Sequence, residues 1–354
     1  MADTQGKVRI GFVGTGGMGQ MAHLKNYVVN GSCEVAAIAE LRENTGRAVA
    51  ARYGIPGYYR TAKEMLDAGG LDAVVASQPF TRHGIVLDEV LAYGLPVFTE
   101  KPLASSVETG RRIVEMVRKS GTFVMVGYHK RSDPATMYAR QAIDELKVSL
   151  ELGKQTYVRV LMPAGDWQAN GFDQLISMKD PAVELATDPP APDLDDEGRN
   201  KYIEFVNYYI HQVNLLRHLL GEPYKPVFAD RSGTLFVGES DSGATCTLEM
   251  SPYITSIDWQ EEALVCFERG WIKISLPAPL ASNRPGKVEI YRDHGDGKTP
   301  MMESPTLPHI HAMRQQAANF IAAVKGERPP MTDAEESLED LRVAREYIRL
   351  ATGK

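Results

Sequence analysis

Residues 8–19 read VRIGFVGTGGMG, a short apolar run that ends in a turn with glycine at 14, 16 and 19. Gly14 permits a tight turn out of a strand. Gly16 lets backbone approach a pyrophosphate, and Gly19 lets the following helix pack closely on the strand. Gly17 and Met18 fall at the helix start, where N–H groups without intrahelical partners receive an anion. Glycine-rich turns are common outside nucleotide sites, so the context of this G-x-G-x-x-G spacing decides its meaning. Glu40 closes the next strand run, CEVAAIAE, 21 residues after Gly19. A carboxylate placed there accepts hydrogen bonds from a ribose hydroxyl. An acid at a strand end is ordinary by itself; strand, turn, helix and acid together point to a bound dinucleotide. Glu40 favours NAD, because it would repel the 2′-phosphate of NADP. Arg42 pulls the other way, since a guanidinium stacks on adenine or pairs with phosphate.

Outward from this turn, residues 1–127 alternate strand and helix signals. LDAVVASQP, LPVFTE and TFVMVG continue the apolar runs, and segments such as TGRAVAARYG and HGIVLDEVLAYG each close on a glycine. Near-continuous apolar strands separated by helices predict a doubly wound parallel sheet, a Rossmann domain. Residues 128–354 change character. QTYVRVLMP, PVFADRSGTLFVGE, GATCTLEMSPY, EEALVCFERGWIKISLP and KVEIYRD are strand-like runs with turn residues between them. They predict a second α/β domain with a mostly antiparallel sheet. Residues 181–200, rich in Pro and Asp, read as an exposed insertion. HAMRQQAANFIAAVKG and AEESLEDLRVAREYIRLA read as two closing helices.

A chain of 354 residues exceeds one typical core, which agrees with two domains. The net charge of −7 argues against a nucleic-acid partner, which calls for a basic face. Three scattered cysteines form neither a disulfide framework nor a metal-ligand pattern, and they fit a reducing compartment. MADTQGKVRIGFVG lacks a signal-peptide pattern, and no apolar run is long enough to span a bilayer. The expectation is a cytoplasmic enzyme with no metal and no membrane partner.

EFVNYYIHQVNLLRHLLG, residues 204–221, reads as one helix with two faces. Asn207, His211, Asn214 and His218 recur at helical spacing, while Tyr209, Val213, Leu216 and Leu220 make the opposite, apolar stripe. A solvated face usually carries Lys and Glu, so amides and imidazoles mark this one as a possible site wall.

Across nearly its whole length the chain resembles the Gfo/Idh/MocA family of sugar and inositol oxidoreductases. The resemblance rests on GTGGMG, SQPFTRH, TEKPLA, GYHKRSDP, HQVNLLRHLLG and PPMTDAEESLEDL, with Glu100-Lys101-Pro102 the most specific of these. It implies a Rossmann domain followed by an α/β domain with an open-faced sheet. Such a sheet often mediates oligomers, so a homodimer or homotetramer is expected. It also implies NAD- or NADP-dependent hydride transfer to or from a carbohydrate carbon. By resemblance Ser77, Gln78 and Pro79 line the cofactor, and residues 128–131 (Tyr128, His129 and Arg131 among them) face nicotinamide and substrate. His83, at a helix start, either caps that helix, pairs structurally or touches ligand.

Lys101 sits at the carboxyl end of a parallel strand, where ligands bind in this architecture. Its ammonium can donate to a sugar hydroxyl and shift its acidity, although most lysines at strand ends are merely solvated. Removing a hydroxyl proton as hydride leaves calls for a base, and histidine is the default. The family commonly pairs an Asp with a His four residues on; His211 aligns with that histidine and Asn207 takes the place of the aspartate. Asn207 cannot ionise, and Tyr208 with Tyr209 replaces a small residue, which changes the shape of the pocket. In MPAGDWQANGFDQL, residues 162–175, Trp167 could stack on a sugar ring and Asp166 could grip hydroxyls, or the stretch is a surface loop with a tucked-in tryptophan. Three functions stay open: a sugar or polyol dehydrogenase, a redox glycosidase that recycles its NAD, and a non-catalytic dinucleotide-binding protein.

Overall fold

The computed structural model of the chain describes residues 6–251 and 253–353. Residues 1–5, which precede the first strand run, and Pro252, within the 243–253 run, lie outside them. Two compact units form. The first comprises residues up to Tyr128 together with 171–193 and 313–341; the second comprises 129–170, 194–312 and the remaining C-terminal residues.

The first unit is built on strands Val8–Val13 (β1), Cys33–Ala39 (β2), Gly57–Tyr59 (β3), Ala73–Ala76 (β4), Val97–Thr99 (β5) and Val124–Val126 (β6), in the order β3-β2-β1-β4-β5-β6. Every pairing is parallel. This is the doubly wound order, with the strand reversal beside β1. Five strands match the apolar runs; β3 is a three-residue edge strand with no apolar pattern to announce it. Phe12, Phe98 and Phe320 are fully buried, and Phe320 meets Tyr27, Phe98 and Phe123 edge-on at centroid distances of 6.4, 5.8 and 6.2 Å. Phe320 lies on the helix Ala312–Val324, so the chain returns to this core near its C-terminus, a contact that no boundary drawn along the sequence can capture.

The second unit holds Gln155–Leu161 (β7), Tyr224–Ala229 (β8), Leu235–Ser240 (β9), Thr245–Glu249 (β10), Glu262–Phe267 (β11), Gly270–Ser275 (β12), Lys287–Arg292 (β13) and Met301–Glu303 (β14), in the order β14-β13-β12-β11-β7-β10-β9-β8. Only the β7–β10 pairing is parallel. Residues alternate along each central strand. Val158, Val160, Ala263, Val265, Ile272 and Ile274 are buried on one face. Tyr157, Arg159, Leu264, Trp271 and Lys273 stay half-buried on the other. Asp133 caps the helix Pro134–Ser149 by accepting from the Ala135 N–H, with Pro134 at the first turn as the sequence pattern favours.

The expected single helix over 204–221 is two: Asp196–Tyr208 and Ile210–Leu220. They meet at Tyr209, whose φ of −95° and ψ of −2° leave the helical basin for the bridge region. The Tyr209 ring packs on Phe205 and Tyr208, and its hydroxyl donates to the Met250 carbonyl at 3.3 Å. Tertiary contacts of one bulky residue thus outweigh a continuous helical pattern. Among the described residues no helix is long and apolar enough to cross a membrane.

Candidate functional site

The glycine turn fits a dinucleotide. Gly14 has a φ of +88°, and a Cβ there would meet the Ser77 carbonyl oxygen at 2.4 Å; a Cβ on Gly19 would meet the Gly14 carbonyl oxygen at 2.4 Å. These two glycines are required by the backbone. A Cβ on Gly16 would meet nothing within 4 Å, which leaves open space beside the turn. The helix that follows is wound as a π-helix over Gly19–Leu24, a form frequent at functional sites.

Glu40 is buried behind this turn. One carboxylate oxygen accepts from the Thr15 N–H and hydroxyl, both at 2.9 Å. The Arg42 guanidinium grips both oxygens, Nε at 2.8 Å and Nη2 at 2.9 Å, and the Arg42 N–H adds a bond at 3.0 Å. Burial alone would push the Glu40 carboxyl up; the Arg42 and Thr15 donors outweigh it and hold the carboxyl below the usual range. The two residues whose pulls on cofactor choice oppose each other in the sequence are therefore bonded to one another.

Ser77 follows β4 and donates its N–H to the Val13 carbonyl at 2.9 Å; Gln78 crosses beside Gly14, and Pro79 is exposed. His83 is buried. Its Nδ1 lies 3.2 Å from the Leu103 carbonyl oxygen and its Nε2 lies 3.2 Å from that of Gln78. Burial lowers its pKa, so it is neutral and donates to only one of the two. His83 thus joins the loops after β4 and β5. Glu100 is buried as well. It receives His23 Nε2 at 2.5 Å and the Lys101 N–H at 3.0 Å. Burial raises its carboxyl, and His23 and Lys101 more than reverse that. Lys101 itself is half-buried and joins Pro102 through a cis peptide bond. Tyr128, at the end of this unit, is fully buried.

In the second unit the structure brings His129 and His211 together, with ring centroids 4.5 Å apart and planes at 76°. The residues beside each histidine hold them there. Lys130 pairs with Glu261, which also accepts from Gln212 Nε2 at 2.7 Å and from the Trp259 indole N–H at 3.3 Å. Arg131 is buried and donates from Nε to Asn214 Oδ1 at 2.7 Å. Neighbours of His129 therefore clamp neighbours of His211 on the helix Ile210–Leu220. His218 is held well below its ordinary pKa by burial and by Arg131, Arg140 and Arg217, so it is neutral. Asn207 is exposed at the end of the preceding helix. Tyr208 lies against the backbone of Gly165, the residue before Asp166. Asp166 turns one oxygen onto its own loop, accepting from the Gln168 and Ala169 N–H groups at 3.0 and 3.1 Å; Trp167 is half-buried.

The sequence reading passes over His23, Gln212 and Glu261, and takes Lys130 only as part of the span 128–131. His23 lies on the helix that the glycine turn opens, four residues past Gly19, which is the one local hint. The pairing of Lys130 with Glu261 becomes visible only once the segment leading into β11 and the short helix His129–Ser132 are placed in space.

The Gfo/Idh/MocA oxidoreductase model, described as an NAD-binding Rossmann fold, matches residues 8–128, the span from β1 through β6. Residues 8–128 therefore form a Rossmann domain of the Gfo/Idh/MocA type. The chain is 25% identical to inositol 2-dehydrogenase of Rhizobium meliloti over 98% of both chains. It is 27% identical to the NAD(+)-dependent scyllo-inositol 2-dehydrogenase of Bacillus subtilis, over 69% of this chain and 67% of that one. Among solved structures, an oxidoreductase from Agrobacterium radiobacter in complex with NAD+, L-tartaric acid and magnesium superposes with a TM-score of 0.72 at 14% identity, covering 98% of this chain and 97% of that one. That likeness carries the fold. The protein is an NAD-binding oxidoreductase.

Proposed function

We propose that the protein is an NAD-dependent dehydrogenase of a polyol of the inositol kind. The observation that carries this reading is the end-to-end likeness to inositol 2-dehydrogenase, which covers both units rather than the dinucleotide domain alone. The cofactor would be held by the turn Gly14–Gly19, by the Ser77–Gln78 loop and at the Glu40 rim. When bound, nicotinamide supplies the hydride acceptor. In this reading His211 takes the hydroxyl proton as general base, and its contact with His129 together with the Gln212 and Asn214 clamps fixes the ring for that task. Lys101 is read as a donor that makes a substrate hydroxyl more acidic. Asn207, in the place of the family's aspartate, orients a hydroxyl without taking its proton. The half-buried face of the eight-stranded sheet is read as the surface that pairs with a second copy.

The test is reduced-nicotinamide absorbance with myo- and scyllo-inositol, aldoses and aryl glycosides. Inositol oxidation is expected, with His211→Ala slower by on the order of 10²- to 10⁴-fold and Lys101→Ala by about 10²-fold. Release of aglycone without net absorbance change identifies a redox glycosidase instead. NAD binding with no turnover on any substrate identifies a non-catalytic binder.

A further inference from the structure

Residues 171–193 leave the second unit's sequence and belong to the first unit. They form a strap pinned at several points along the nucleotide end of the sheet. A Cβ on Gly17 would meet the Phe172 ring at 2.6 Å, so that ring lies directly on the turn. Ile176 exchanges two hydrogen bonds with the Gln20 side chain, at 2.9 and 3.0 Å. Asp188 is buried, accepts from the Gly84 N–H at 2.8 Å and pairs with Arg112 at 2.8 Å. Most of 181–200 is exposed, and the buried Asp188 anchors it.

Between these anchors Asp180 enters the rim at Glu40 and Arg42. The helix Glu43–Tyr53 starts after Arg42, which offers no side-chain cap. Asp180 supplies one from the strap. One carboxylate oxygen accepts from the Asn44 N–H at 2.8 Å; the other accepts from the Thr45 N–H at 3.1 Å and the Thr45 hydroxyl at 2.7 Å. The strap backbone adds the Lys179 carbonyl to Asn44 Nδ2 at 2.8 Å and the Met178 N–H to Thr45 Oγ1 at 3.2 Å.

We propose that Asp180 is a specificity-determining residue that rejects an adenosine 2′-phosphate and so selects NAD over NADP. In this architecture a 2′-phosphate is received after β2, on an arginine and on backbone N–H groups at a helix start. Here Asp180 already occupies the Asn44 and Thr45 donors with a charge of the same sign as phosphate. The arginine is taken too, gripped by Glu40 on both oxygens. Asp180 also draws on the Arg42 guanidinium electrostatically, after the stronger pull of Glu40. A 2′-phosphate would meet two carboxylates and donors already engaged. A 2′-hydroxyl carries no charge to repel and needs neither the helix start nor the arginine.

The experiment is calorimetric titration of the purified full chain with NAD and NADP separately, for wild type, Asp180→Ser and Asp180→Asn, with no substrate present. Failure of the polyol reading therefore leaves the result intact. Asp180→Ser opens the helix start and removes the charge; its NADP affinity should rise at least tenfold relative to NAD, with NAD itself within about threefold. Asp180→Asn keeps the shape and an acceptor oxygen for the cap, so it keeps the strap seated while removing only charge; the ratio should move at least threefold the same way. Should the serine variant unfold, as judged by circular dichroism, the asparagine variant decides alone. An unchanged NADP-to-NAD ratio overturns the proposal. So does equal weakening of both cofactors, which would make Asp180 a strap anchor only.

Discussion

Each unit contains a buried carboxylate paired with a cation, and the two pairs have opposite surroundings. Behind the glycine turn Arg42 leaves 37% of its side chain exposed while Glu40 leaves 6%. In the second unit Lys130 and Glu261 leave 4% and 0%. Arg42 can exchange its partner for water or a ligand at little cost, because solvent screens either arrangement. Lys130 has no such freedom. Its ammonium also lies 5.6 Å from the centre of the Trp259 ring, and Glu261 is bonded on both oxygens. An open pair suits selection among ligands; a sealed pair suits placement of its neighbours, here His129 and Gln212.

The sharpest way to break this contrast is to unpair the sealed side. Lys130→Met leaves the Glu261 carboxylate buried with only amide and indole donors. The expected loss is about 3–5 kcal/mol in chemical denaturation, the usual cost of an uncompensated buried charge. Lys130→Met with Glu261→Gln should recover much of that, since the stranded charge goes too. A loss under about 1 kcal/mol for the single variant would place the pair in solvent and erase the distinction.

The pH dependence of the two regions should run in opposite directions. Burial pushes the Asp133 carboxyl up to about 6, although the Ala135 and Gly286 N–H groups donate to it. Between the ordinary carboxyl value of about 4 and that value, the folded state keeps a proton that the unfolded state has released. The contribution of Asp133 is therefore fully present below about pH 4 and declines as pH rises to about 6, by at most about 1.4 kcal/mol per pH unit. At Glu40 burial is outweighed by its donors and the folded pKa is lowered, so its contribution is present above about pH 4.3 and lost on acidification. Asp133→Asn minus wild type, measured by thermal unfolding at pH 4.5 and 6.5, should show the variant gaining on wild type at the higher pH. A difference that stays flat would mean Asp133 is solvated.

What the sequence makes legible divides along the same line. The glycine turn can be read because its requirements are local: Gly14 needs its positive φ and Gly19 needs close backbone approach, and both lie in one short stretch. Glu40 follows from the fixed distance between turn and strand end. Nothing local announces Asp180, whose partners Asn44 and Thr45 lie 136 and 135 positions away. The clamp on His211 depends on Glu261, brought in by β11. The bend at Tyr209 depends on Met250 and Phe205, so the polar stripe Asn207–His218 looks continuous only in one dimension. The fold class follows from periodicity, whereas the rim and the clamp are products of long-range pairing.

The smallest effect is expected at the open pair, and it separates Arg42 from Asp180. Arg42→Ala removes the guanidinium, yet Glu40 keeps the Thr15 N–H, the Thr15 hydroxyl and the N–H of residue 42. With three donors remaining and the lost partner partly in solvent, stability should change by no more than about 1 kcal/mol in thermal unfolding. The cofactor balance should shift in the direction opposite to Asp180→Ser. Without Arg42 a 2′-phosphate loses its cation and faces Glu40 and Asp180 unscreened, so NADP should weaken relative to NAD. The freed Glu40 oxygens can meanwhile accept ribose hydroxyls, so NAD affinity should hold or improve. Opposite shifts from the two variants would mean that the arginine attracts the phosphate and the strap carboxylate repels it. If Arg42→Ala strengthens NADP instead, the guanidinium is excluding the phosphate by filling its place, and the rim pair is as fixed as the sealed one.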